Sequence, residues 1–259
     1  MIKTTQHDID YRGISKNERY LTDLIKENNL TVFGVREVYR LSSWNKTRVH
    51  NTLHTLKEKR RITRIKRDKY ALKDEINQKT FEIATTTIRP SYISFWTALN
   101  HYGYTDQQIR QVQVITTKQQ KTIRFDNHTI EVTTFQPRRF YGYKREEEYT
   151  IAEKEKALVD SLHLPEKCGG FNEYAQNLEN AMEDIDQKKL IDYVIRFKNK
   201  TLTSRAGYML ETLGIEAGKL QKHKSETYVK LNPENEGTGE HNRRWNIIIN
   251  QKQSRKAIG

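Results

Sequence analysis

The chain has 259 residues, 46 of them Lys or Arg against 33 Asp or Glu, for a formal net charge of +13, a length that accommodates one large domain or two ordinary ones with separate cores. No apolar run approaches the ~20 residues needed to span a bilayer, and the opening MIKTTQHDID lacks the apolar stretch of a signal peptide. The single cysteine, Cys168 in the loop EKCGG, excludes an internal disulfide and a cysteine-based zinc cluster, so a cytoplasmic protein is expected.

The charge is local. Residues 45–72, NKTRVHNTLHTLKEKRRITRIKRDKYAL, hold ten Lys or Arg and two acids, Glu58 and Asp68, so +8 of the net +13 lies there. A compact patch of one sign attracts a polyanion and steers its approach, which a dispersed excess of lysine does not do. Nucleic acid is the first candidate, ahead of an acidic membrane or protein.

In chain order, residues 15–29 read as a helix, with Ser15 and Glu18 at the spacing of a capping box and Leu21, Leu24 and Ile25 on one face. Val35, Val38 and Leu41 mark a short second helix that Ser42 and Ser43 end. A third helix follows, with Val49, Leu53 and Leu56 inward and Lys46, Arg48, Asn51, Thr52 and Thr55 left to solvent. Then RITRIKRDKYAL places Ile62, Ile65, Tyr70 and Leu72 on either side of the polar break at residues 66–69, the pattern of a two-stranded hairpin. Three helices followed by a basic hairpin make a winged helix-turn-helix, whose third helix enters the major groove while the hairpin reaches the adjacent backbone or minor groove.

The polar segment KDEINQKT at 73–80 sets the expected boundary, giving a DNA-binding domain over residues 1–76 and a second domain over 77–259. In the latter, Pro90 is expected to open a helix carrying Ile93, Trp96 and Leu99 on one face, with Gly103 as its stop. VQVITT, TIRF and TIEVTTF predict an antiparallel meander, and residues 140–151 a further extended piece. Helices follow in AEKEKALVDSLHL, FNEYAQNLENAMED, KKLIDYVIRFKN and SRAGYMLETLG, and WNIII near the end reads as a buried or pairing strand. The expected class is α+β: a winged helix, then a mixed domain with a small antiparallel sheet and several helices.

Catalytic patterns are sparse. His50 and His54 are four apart on the third helix, a spacing that can hold a metal, but no third ligand accompanies them. Asp126 and Glu131 echo nuclease carboxylates loosely, with Thr133 where a lysine is expected. No phosphate loop, nucleophile elbow or H-E-x-x-H pair is present, so no enzyme, cofactor or metal is expected. Arg205, Tyr208 and Glu211 share one helix face, either a partner surface or an ordinary solvated one.

Four segments, YISFWTALNHYGYTDQ, IAEKEKALVDSLHLP, SRAGYMLETLG and KLNPENEGTGEHNRRWNIIIN, resemble in order and spacing the C-terminal region of AbiEi-type antitoxins of type IV toxin–antitoxin systems, and a winged-helix N-terminus completes the pattern. RAGYMLE departs from the RLGYLLE pattern expected there. The resemblance implies a transcriptional autorepressor that binds inverted-repeat promoter DNA, with room for two copies on the operator. It also implies a C-terminal domain that neutralises a nucleotidyltransferase-like toxin without a stable complex; no membrane partner is expected, from the lack of a spanning apolar run. No catalytic residue carries over. The DNA-contact positions here are Lys46, Thr47, Arg48, Asn51, Arg64, Lys66, Arg67 and Lys69. The competing readings are a DNA-targeted nuclease using the C-terminal carboxylates and a stand-alone regulator whose second domain senses a ligand.

Overall fold

Ser15 and Glu18 form the capping box that the sequence predicts. The Ser15 hydroxyl accepts from the Glu18 amide at 3.3 Å and the Glu18 carboxylate from the Ser15 amide at 3.1 Å, satisfying two donors that a helix start leaves open. They open α1 (Lys16–Glu27), the first element of a computed structural model that describes residues 13–107 and 111–251. The segment MIKTTQHDID lies outside the described residues. In chain order there follow α2 (Val35–Leu41), α3 (Lys46–Glu58), β1 (Ile62–Lys66), β2 (Lys69–Leu72), α4 (Thr80–Thr87), β3 (Ser91–Ile93), α5 (Phe95–His101), β4 (Gln111–Thr116), β5 (Ile123–Phe125) and β6 (His128–Thr134). The chain continues through β7 (Tyr143–Glu146), β8 (Tyr149–Ala152), α6 (Lys154–His163), α7 (Phe171–Ala181), α8 (Gln187–Phe197), α9 (Lys200–Thr212), β9 (Val229–Lys230), β10 (Glu240–Asn242) and β11 (Ile247–Ile249). The fold is therefore α+β. Among the described residues no helix is long and apolar enough to cross a membrane.

The described residues divide into two units. The first runs through Pro90, beyond residue 76, and takes in residues 111–112 and Gln120–Val132; the second holds residues 91–107, Gln113–Gln119 and residues 133–251.

In the first unit α1, α2 and α3 close over Leu21, Ile25, Val38, Val49, Leu53 and Leu56, with Phe33, Ile62 and Leu72 completing the cluster. The amides of Phe33 and Tyr70 each donate to the other's carbonyl, at 2.9 and 2.7 Å, so one residue ahead of α2 acts as a third strand beside β2. Gly34 follows because the chain passes so near the hairpin turn that a Cβ there would lie 2.2 Å from the Asp68 carbonyl oxygen. The register steps from Arg64↔Tyr70 to Lys66↔Lys69, so Ile65 is the extra residue of a β-bulge. That bulge is how Ile62 and Ile65, three apart, both come to be buried. Beside β1 lies β5, and Thr63 Oγ1 donates to Asp126 Oδ2 at 2.8 Å.

In the second unit Pro90 does not open a helix. Ser91, Tyr92 and Ile93 are all buried and pair antiparallel with β4, and α5 begins only at Phe95, so Ile93, Trp96 and Leu99 share no helix face. Phe95 is fully buried, whereas Trp96 is half-buried with Nε1 donating to Thr105 Oγ1 at 3.2 Å. The expected meander is also corrected: β5, which belongs to the first unit, pairs with β6, and β6 rather than β5 neighbours β4. Beyond β4 come β3, then β8, parallel to β3, and β7.

Helix α6 is the spine of this unit, packed by α5, α7, α8 and α9. Glu155 through Leu162 are buried, Lys156 and Asp160 included. The Lys156 ammonium pairs with Asp160 and donates to the Tyr92 hydroxyl at 2.9 Å, and Ser94 donates to Asp160 Oδ2 at 2.9 Å. Rings of Tyr92, Phe135, Tyr141 and Phe197 surround the ammonium at 4.9–5.5 Å. Burial drives both ionic partners toward their neutral forms. At the C-terminal end, β11 lies between antiparallel β10 and parallel β9, next to α9.

Candidate nucleic-acid interface

Asn45 caps α3, its Oδ1 accepting from the Arg48 amide at 2.8 Å. Val49, Thr52, Leu53 and Leu56 point inward. The helical period then sets Thr47, Asn51, His54 and Glu58 on the opposite line, and all four are exposed. Thr52, expected at the surface, is buried and its hydroxyl donates back to the Arg48 carbonyl at 2.9 Å. Thr55 is half-buried and bonds Asn51 in the same manner.

Lys46 and Arg48 flank this line. Arg48 is exposed but held: its guanidinium lies 4.0 Å from the Trp44 ring centre and its Nη2 donates to Asn17 Oδ1 at 2.8 Å. Lys46 sits 5.4 Å over Tyr39. Tyr20, whose ring is 4.8 Å from Trp44, and Tyr39 and Leu41 are exposed large apolar side chains of this unit. Sequence periodicity missed this aromatic surround, since only folding brings Tyr20 and Trp44 together.

The ten cations of residues 45–72 separate into two groups. Lys59, Lys66 and Lys69 are half-buried, and the other seven are exposed. Lys59 bonds both Glu18 carboxylate oxygens, at 2.9 and 2.8 Å. Lys66 donates to the Thr87 carbonyl at 2.7 Å, and burial, with the nearby Lys69 charge, lowers its pKa. Lys69 pairs with Glu37 at 2.6 Å; burial raises the Glu37 pKa, but the Lys69 pairing outweighs it and holds the carboxyl low. Two of the four expected wing contacts are thus engaged inside the unit. Arg64 and Arg67 remain outward. The Arg67 side chain is 90 % exposed and meets Asp68 only at 3.7 Å, a pairing that water screens to about 0–1 kcal/mol.

The loosely nuclease-like carboxylates are engaged separately, Asp126 by Thr63 and Glu131 by the Gln111 amide at 3.0 Å. His50 and His54 are exposed, and among the described residues no group of three or more His, Cys, Asp or Glu side chains is placed to hold a metal ion. Cys168 is buried in a 3-10 turn (Pro165–Cys168), and burial pushes its thiol up to about 12. The polar face of α9 is covered by the chain's own C-terminal segment. Arg205 Nε donates to the Lys230 carbonyl at 2.9 Å, and Glu211 takes the Trp245 indole N–H and the Arg244 guanidinium, each at 2.6 Å.

Comparison with protein-family models finds no match to this chain, and comparison with curated proteins finds none.

Proposed function

We propose that this chain is a winged-helix DNA-binding autorepressor and antitoxin of the AbiEi kind. The observation that carries the DNA half is the sorting of the basic segment: three lysines serve the fold, and seven cations are exposed on α3, on the residues after it and on the hairpin. The element order and the Phe33–Tyr70 bridge beside the hairpin support a winged helix. In this reading Thr47 and Asn51 face base edges, while Lys46, Arg48, Arg64 and Arg67 take phosphates. Lys66 and Lys69, engaged internally, contribute little.

The antitoxin half rests on the four segments of the resemblance. They pack as one core in the second unit, with α5 and α9 each on α6 and β11 on α9. A nucleotidyltransferase-like toxin encoded beside this gene is the functional partner, and the work is cytoplasmic. The experiment pairs a promoter reporter with co-expression of the adjacent toxin. Arg64→Ala with Arg67→Ala abolishes repression and leaves protection intact. Loss of both activities at normal protein levels rejects separate roles. On purified operator, Asn51→Ala costs about 1–3 kcal/mol, and less on random duplex.

A further inference from the structure

The second unit carries another concentration of cations, unrelated to the winged helix. The stretch QPRRFYGYKR, residues 136–145, has four Arg or Lys and no acid. Lys144 and Arg145 are paired with Glu146 and Glu148 of the hairpin turn. Arg138 is exposed, in the 3-10 turn Pro137–Arg139 that packs on α8. From α8 comes Arg196, also exposed, its guanidinium 4.0 Å from the Tyr141 ring centre. Arg139 lies 4.5 Å from the Phe197 ring centre, its Nη1 3.1 Å from His163 Nε2. Among the described residues none of these three guanidinium groups has a carboxylate partner, and Asp192, one turn before Arg196, is exposed and not paired with it.

Burial and neighbouring cations act together on the groups here. Burial, then the charges of Arg139, Lys156 and Arg205, push His163 down to about 4. Burial, then Arg138, lowers Arg139. Like charges gathered at a surface repel one another unless an anion sits among them. On the same segment Tyr143 stacks on Tyr92, centroids 5.0 Å apart and planes 10° apart, while remaining 40 % exposed. Phe140 braces both rings at 5.0 Å. Single-strand binders combine such a fixed, exposed ring with cations: phosphates go to the guanidinium groups and an unpaired base to the ring. A duplex has no free base face for Tyr143 to meet.

We propose that Arg138, Arg139 and Arg196, with the Tyr143 ring on the same segment, bind single-stranded nucleic acid. The site is independent of the operator reading.

The test uses the full chain and fluorescence anisotropy with labelled poly-dT and poly-U strands of about 15 nucleotides, beside a random duplex. Wild type binds a single strand in a salt-dependent manner; either sugar supports the site, and the ratio names the preferred one. Arg138→Gln with Arg196→Gln weakens single-strand binding about tenfold, and Tyr143→Leu about fivefold, with duplex binding unchanged. Arg64→Ala with Arg67→Ala does the reverse. The proposal is overturned if wild type binds neither strand at low salt, if the Arg138/Arg196 variant retains full affinity while folded by circular dichroism, or if the Arg64/Arg67 variant removes single-strand binding.

Discussion

Trp245 fills the space that any side chain at Gly207 would need: a Cβ there would fall 2.1 Å from the indole Cζ3. Trp245 is fully buried, and its N–H reaches Glu211 on the same helix. Glycine inside a helix is worse than alanine by about 1 kcal/mol, so Gly207→Ala would stabilise a helix with open space over it. Here the clash reverses the sign. Gly207→Ala is expected to destabilise by about 1–3 kcal/mol in urea unfolding, and pairing it with Trp245→Leu is expected to be less than additive. A stabilised Gly207→Ala protein would mean that the C-terminal segment does not dock on α9.

Adjacent aromatic residues separate in the same way. Phe95 is fully buried at a φ of 54°, while Trp96 is half-buried. Phe95→Ala is expected to cost about 3–5 kcal/mol, and Trp96→Ala clearly less. The order of the two unfolding midpoints checks it, and the reverse order would restore a helix opening at Pro90.

These residues mark where the sequence was legible. Local signals read correctly: the Ser15/Glu18 box, the apolar spacing of α1 to α3, and the polar break of the β1–β2 hairpin all act within a few residues. Pro90 misled because the burial of Tyr92 and Ile93 against β4 is a long-range pairing that helical spacing cannot reveal. The bulge at Ile65 likewise depends on β2. TFEIATTT, rich in β-branched threonine, gave no helix signal for α4, whose buried Ile83 and Ala84 hold it. At the candidate site composition gave the charge density but not its sorting. Only Glu18, Glu37 and the Thr87 carbonyl, distant in sequence, distinguish Lys59, Lys69 and Lys66 from the arginines around them.

The caged pair in α6 predicts a pattern of its own. Lys156→Met or Asp160→Leu alone leaves a polar partner buried without its counterpart and is expected to cost about 3–5 kcal/mol. Lys156→Met with Asp160→Leu is expected to cost much less than the two together. Unfolding of the three variants measures it, and strict additivity would show that the two side chains are not coupled.

Acid stability follows from Glu18. Burial raises its pKa, but Lys59 and the Ser15 amide outweigh burial and hold the carboxyl below its ordinary value. A depressed carboxylate contributes stability above its unfolded pKa and loses it as pH falls through the folded value. Glu18→Gln is therefore expected to lower stability near neutral pH and to flatten the fall between about pH 5 and pH 3, read from urea midpoints across that range. Parallel profiles for variant and wild type would place the acid sensitivity elsewhere.

The division between inward lysines and outward arginines is tested most directly by the salt dependence of duplex binding. With about six phosphates contacted, log K is expected to fall against log salt with a slope of roughly −5. Arg64→Ala with Arg67→Ala should make that slope shallower by about 2, while Lys69→Ala, whose side chain is paired with Glu37, should leave it unchanged in protein shown to be folded. The contradicting result is a wild-type slope near zero, or one that Lys69→Ala reduces and the arginine variant does not.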